Sequence, residues 1–160
     1  MEDNRGENID ISLCFPRYGE KSDGKLIDII NKTKESLDIA IFNFTDRNIL
    51  KAILEAKDQN VAIRIITDKI MSLTPVQFFI LRKLKRAGIP IKKNSHPGFM
   101  HLKITIADQK VVTVASANFT KASQRKNDEF FMSIQDEKMA SEFIKQFNLM
   151  WNKTGDFHPF

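Results

Sequence analysis

Residues 101–129 read HLKITIADQKVVTVASANFTKASQRKNDE and gather the side chains best equipped for chemistry. His101 and Lys103 stand two apart on an alternating, β-branched run, so on a strand both face the same side and an imidazole lies beside an ammonium. Asp108, Gln109 and Lys110 read as the turn of a hairpin whose second strand is 111–114. That strand delivers Ser116 and Asn118 through Ala115 and Ala117, small residues that let a backbone come close to a ligand. Asn127 and Glu129 follow one turn or short helix later, at the head of the apolar run 130–134. His, Lys, Ser, Asn and Glu on adjacent strand ends make a phosphate-handling set, with donors for anionic oxygens beside groups that attack and move protons. Polar residues at strand ends also cap backbone or face solvent, and this segment alone leaves that alternative open.

The elements that must position this set have a βαβ rhythm. Ser22 or Asp23 is expected to cap a helix with the buried stripe Leu26, Ile29, Ile30 and Thr33. Residues 37–44 form a strand that is apolar on both faces except at Asp38 and Asn43, as in sheets covered by helices on both sides. Thr45 or Asp46 caps a second helix to about 57, and 61–67 is a third strand. Thr74 and Pro75 open a helix with the stripe Val76, Phe79, Ile80, Leu84 and Ala87, crowded on its other positions by Arg82, Lys83, Lys85 and Arg86. It stops at Gly88 before a short strand, 89–91. The polar loop 92–99 then forms a lip to the reactive strand, with Lys92, Lys93, His96 and Phe99 placed to bind substrate. Phe99 and Phe119 each either line a groove or brace the backbone. Lys121 and Arg125 add charge on a short helix or turn within 118–126, crossing the mouth of the site. Asp136 or Glu137 opens a last helix striped by Met139, Phe143, Phe147, Met150 and Trp151. The expected fold is α/β, a mixed and mostly parallel sheet flanked by helices on both faces.

A chain of 160 residues supports one domain without a disulfide or metal staple, here 9–160 after a flexible, polar lead-in, 1–8. Cys14, the single cysteine, reads as core filler in a strand over 9–15. Net charge is +5, and between Lys69 and Ala107 there are eight Lys and Arg residues and no acid, which implies an anionic partner. No apolar run reaches membrane-span length. The composition fits a cytoplasmic chain, or a periplasmic or secreted one whose leader has been removed.

The order His101-x-Lys103, four residues, Asp108, six residues, Ala115-Ser116-x-Asn118 resembles the signature of the phospholipase D superfamily, H-x-K-x4-D-x6-G-S-x-N. Asn118-Phe119-Thr120 and Asn127-x-Glu129 are similar to its continuation in a small bacterial nuclease branch, and the resemblance extends upstream through the strands at 39–45 and 61–68. It implies that His101 Nε2 is the nucleophile and forms a covalent phosphohistidine. Lys103, Asn118 and Ser116 would then supply donors to the phosphoryl oxygens, and Glu129 would orient the imidazole. Asp108 is expected to fix the hairpin through backbone hydrogen bonds. Proteins of this kind use two copies of the motif, whereas this chain has one. The resemblance therefore implies a homodimer with the site on its two-fold axis. No cofactor or metal is expected, since the chain has no H-x-x-x-H and no second cysteine, and the reactive segment has no clustered carboxylates. Ala115 replaces the signature glycine, and Phe130 stands where asparagine often follows Glu129; both leave room for an altered pocket.

The leading expectation is a metal-independent phosphodiesterase that cuts DNA or RNA without sequence preference. A hydrolase of anionic phospholipids such as cardiolipin is the alternative, and a non-catalytic nucleic-acid binder is the third.

Overall fold

A computed structural model describes residues 9–160; the lead-in expected over 1–8 lies outside the described residues. The first half builds the anticipated crossovers. Strand β1 (Asp10–Cys14) precedes α1 (Ser22–Lys32), β2 (Ser36–Ile41), α2 (Arg47–Asp58), β3 (Ala62–Thr67), a single 3-10 turn (Met71–Leu73), α3 (Pro75–Arg86) and β4 (Ile91–Asn94). The second half is β5 (Lys103–Ala107), β6 (Val111–Ala115), α4 (Lys121–Arg125), β7 (Phe131–Gln135), α5 (Glu137–Asn152) and β8 (Phe157–Pro159). All eight strands join one sheet in the order β1-β7-β6-β5-β2-β3-β4-β8.

The expected mostly parallel sheet is wrong. Only β2–β3 and β3–β4 pair in parallel, while the other five neighbouring pairs are antiparallel. The crossover rule governs only β2, β3 and β4, which are linked by α2 and α3. Beyond β4 no helix precedes β5, so the chain turns back through loop 95–102 and β5 runs antiparallel against β2, Ile41 opposite Lys103. Antiparallel pairing then carries the sheet outward through β6 and β7 to β1.

Two apolar cores sandwich the sheet. Leu26, Ile30, Ile49, Ile53, Ile80 and Leu84 of α1, α2 and α3 pack on one face, and Ala140 and Phe147 of α5 pack on the other against Ile104, Ile106 and Val112. Asp46 caps α2 by accepting from the Asn48 and Ile49 amides. Neither Ser22 nor Asp23 is the N-cap of α1; that residue is Lys21, and the Ser22 hydroxyl donates to Gln124 of α4 instead. In α3 the buried stripe is Gln77, Ile80, Leu81 and Leu84, so Val76 and Phe79 face outward, contrary to expectation. Met139 is likewise exposed on α5.

On β1, Cys14 enters the core beneath α1 to α3, and burial raises its thiol pKa. Alternation puts Ile9, Ile11, Leu13 and Phe15 on the opposite face. There α5 does not reach, and all four are more than half exposed.

Candidate active site

The site forms at the edge where β2 ends and β5 begins. The sheet buries Lys103 on the first residue of β5, while His101 precedes the strand and is exposed. The Lys103 ammonium lies 3.0 Å from Nδ1 and 3.1 Å from Nε2 of His101 and donates to the His101 carbonyl at 2.9 Å. Burial lowers the Lys103 pKa from the ordinary lysine value, and the Glu129 charge opposes that shift. The Phe42 ring, its centroid 4.6 Å from that of the imidazole, braces His101 from the end of β2.

Ser116 follows β6 and Glu129 precedes β7, so paired strand ends bring them together. The Ser116 hydroxyl donates to Glu129 Oε2 and accepts from the Phe130 amide at 3.0 Å. Glu129 Oε1 accepts from Asn127 at 3.2 Å. Among the described residues, the hydrogen bonds of Glu129 go to Ser116 and Asn127, and none goes to the His101 of the same chain. Asn118 Oδ1 accepts from the Asn43 amide at 3.2 Å, tying the β6 exit to the β2 exit. Phe119 is buried edge-on to Phe44, and its carbonyl accepts from the Thr45 and Asp46 amides, so it braces backbone.

Asp108 sits at the far end of the hairpin, where it and Gln109 have φ of 50° and 58° in the primed-turn region. Its carboxylate accepts from the Lys34, Glu35 and Ser36 amides, so it clasps the α1–β2 connection to the hairpin tip and does not bond within the hairpin as expected. Burial would raise its pKa, but the three amides outweigh it and hold the group below the usual carboxylate value.

His101, Lys103, Ala115, Ser116 and Phe130 line a cavity of about 350 Å³, while the Ala115 side chain itself packs against the core beneath α1 to α3. A larger cleft of about 1500 Å³ runs from His101 between loop 95–102 and α5, lined by His96, Phe99, Leu102, Leu149 and Met150. His96 and Phe99 therefore border the same space as His101. Lys92 does not: its ammonium bonds the Trp151 carbonyl and lies 5.0 Å from the Trp151 ring centroid. Lys93 is half-buried on the adjacent position of β4, and Lys121 and Arg125 stand exposed on α4, outside both cavities. Among the described residues no group of three or more His, Cys, Asp or Glu is arranged to hold a metal ion.

Three supports went unrecognised in the sequence. Buried Gln77 accepts from the Phe44 amide at 2.8 Å and donates to Thr67 at 2.9 Å and the Phe42 carbonyl at 3.3 Å, fixing the segment that carries Phe42. Buried Asp68 accepts from the Ile70, Met71 and Met100 amides, joining the 3-10 turn to the residue before His101. Asn94 accepts from the Lys69 amide and donates to the Gly98 carbonyl, shaping the lip. Gln77 had a legible signal: a polar residue at i−3 from Ile80 and i−7 from Leu84 stands where the apolar stripe belongs.

The sheet thus gathers an imidazole–ammonium pair, an amide and a carboxylate at one edge. Residues 26–151 match the family described as cardiolipin synthase, PLD-like domain, and the chain belongs to this phospholipase D superfamily. Human mitochondrial cardiolipin hydrolase is 29% identical over 147 residues, 91% of this chain and 56% of that protein. A phospholipase D of Rickettsia conorii is 32% identical over 116 residues, 72% of this chain and 57% of that protein. The chain thus spans little more than half the length of these curated relatives. Two solved structures superpose closely: Nuc of Salmonella typhimurium, a phospholipase D family member (TM-score 0.87, 24% identity, 96% of this chain and 99% of that one), and NucT of Helicobacter pylori (0.83, 26%, 90% and 96%).

Proposed function

We propose that this domain hydrolyses phosphodiester bonds in nucleic acid, without a metal ion, through a phosphohistidine formed on His101 at a site completed by a second copy of the chain. His101 attacks phosphorus; the N–P bond forms as the P–O bond to the leaving sugar oxygen breaks, and that oxygen takes a proton from the partner's His101. Water then gives its proton to the partner's His101 as it breaks the N–P bond, returning both imidazoles to their starting states. Lys103 neutralises charge on the non-bridging oxygens, Asn118 donates an amide N–H to them, and Ser116 joins as a donor once its hydroxyl turns from Glu129.

The observation that carries this reading is the buried Lys103 ammonium held against both nitrogens of His101, an arrangement with little structural purpose and a clear use against an anionic phosphorus. The net charge of +5 favours a polyanion. Two features support the shared site. Glu129 spends its hydrogen bonds away from its own His101, leaving that imidazole's orienting partner to come from outside the chain. The bare row Ile9, Ile11, Leu13 and Phe15 lies on the same sheet face as Phe130, which lines the reactive cavity, and offers an apolar seat for a two-fold mate.

A second reading, hydrolysis of an anionic phospholipid such as cardiolipin, is favoured by the large cleft beside His101, whose lining of Phe99, Leu102, Leu149 and Met150 suits acyl chains. One experiment separates the readings. Purified protein and His101→Ala are incubated in EDTA with plasmid, single-stranded DNA, RNA and cardiolipin vesicles. Nucleic-acid cleavage that falls at least about 10³-fold in the variant is expected. Cleavage of cardiolipin alone selects the second reading, and binding without cleavage would make the chain a non-catalytic binder.

A further inference from the structure

The outward face of α3 and the 3-10 turn before it has no part in the site. Ile70, Leu73, Val76, Phe78 and Phe79 are exposed within ten residues, Leu73 by 68% of its surface. Cations are interleaved with them: the Lys83 ammonium is 4.8 Å from the Phe79 ring centroid and the Arg82 guanidinium 5.8 Å from that of Phe78. Val76, Phe79, Lys83 and Arg86 fall on one helical stripe, with Phe78, Arg82 and Lys85 beside it. On the neighbouring α2, Arg47 and Lys51 border the groove that holds Phe79 and Lys83, with Glu55 and Asp58 the acids there.

We infer that this face docks the domain peripherally on a bilayer containing anionic lipid. Aliphatic and aromatic side chains need an apolar medium, and the cations around them need negative charge; the headgroup–acyl boundary of such a bilayer supplies both within a few ångströms. A nucleic-acid backbone answers the cations but gives Ile70, Leu73 and Val76 nothing to bury against. A second copy of the chain would answer the apolar groups, yet would set the basic rows of two such faces near each other. The turn begins where β3 ends, at the site's edge of the sheet, and Asp68 links it to Met100, so docking brings the lip of the site close to the surface. This inference rests on the surface alone and holds whichever phosphodiester the site cleaves.

Co-sedimentation with phosphatidylcholine vesicles, with and without phosphatidylglycerol, tests it. The wild-type chain should pellet with the anionic vesicles and remain in solution with the neutral ones. Leu73→Ser/Phe79→Ser, and separately Arg82→Ala/Lys83→Ala, should each weaken partitioning about tenfold or more. Tyr18→Ser, in the exposed connection between β1 and α1, should leave it unchanged. All variants should melt as the wild type does, and the α3 variants should hydrolyse a small soluble phosphodiester at the wild-type rate, which separates failure of docking from failure of the catalytic reading. Equal binding to neutral vesicles, undiminished binding by both α3 variants, or loss of a dimer in the α3 variants without loss of vesicle binding would overturn the proposal.

Discussion

In the proposed reaction Lys103 carries the greatest weight, because its ammonium is both buried and in contact with the nucleophile candidate. Its depressed pKa gives a signed expectation. An activity that needs the protonated amine falls as pH rises through a value below that of an exposed lysine. Glu129 opposes the depression, so Glu129→Gln should move the alkaline limb to still lower pH; a pH–rate profile of the two proteins checks this, and an unmoved limb would remove Lys103 as its source. At Asp108 the sign is opposite. Its pKa is lowered on folding, so its contribution is complete above the unfolded carboxylate value and is lost as pH falls through the folded one. Asp108→Asn should destabilise the fold by about 1–3 kcal/mol at neutral pH, and by progressively less in acid, read from urea melts across that range. The motif spacing located both residues, whereas their partners were not visible: nothing local to Asp108 foretells amides some seventy positions earlier in the chain.

At the level of elements, periodicity found nearly every helix and strand, and each of its errors has a physical cause. In α3 the apolar residues outnumber the positions that a sheet can cover, so hydrophobicity alone could not say whether Val76 and Phe79 or Gln77 and Leu81 face inward. The hydrogen bonds of Gln77 to three backbone and side-chain partners decide it. Gln77→Leu would leave the Phe44 amide buried and unpaired, and should lower stability by about 2–4 kcal/mol while loosening Phe42 beneath His101. Thermal melts, together with a kcat that falls more than stability explains, are the measurements. Strand β8 was unanticipated because three residues are too few for a pattern; it is made by pairing with β4. Lys92 was placed at the lip for its charge, but on β4 it faces α5 and satisfies a carbonyl at that helix's end.

For the whole molecule, the sheet's unequal cover is the consequential fact. Helices screen one face from α1 to α3, but α5 alone screens the other and leaves β1 bare. A light-scattering mass is expected to show a dimer, and Leu13→Asp should yield monomers whose activity is at least about tenfold lower. Monomers of undiminished activity would sink the shared site. The mixed strand order was beyond reach of the sequence because pairing partners are set by tertiary placement: β5 lies beside β2 only because loop 95–102 returns the chain past two intervening strands.

That insertion has a further effect during synthesis. Until residues 103–107 emerge and seat themselves, β2 presents an unpaired, strongly apolar edge while its companions β3 and β4 are already available to assemble. Closure across so long an intervening stretch is slow, and the waiting edge is a template for wrong partners. Newly made chains should therefore need chaperone protection longest just before the reactive strand is added, and fragments ending in α3 should precipitate where the complete domain stays dissolved.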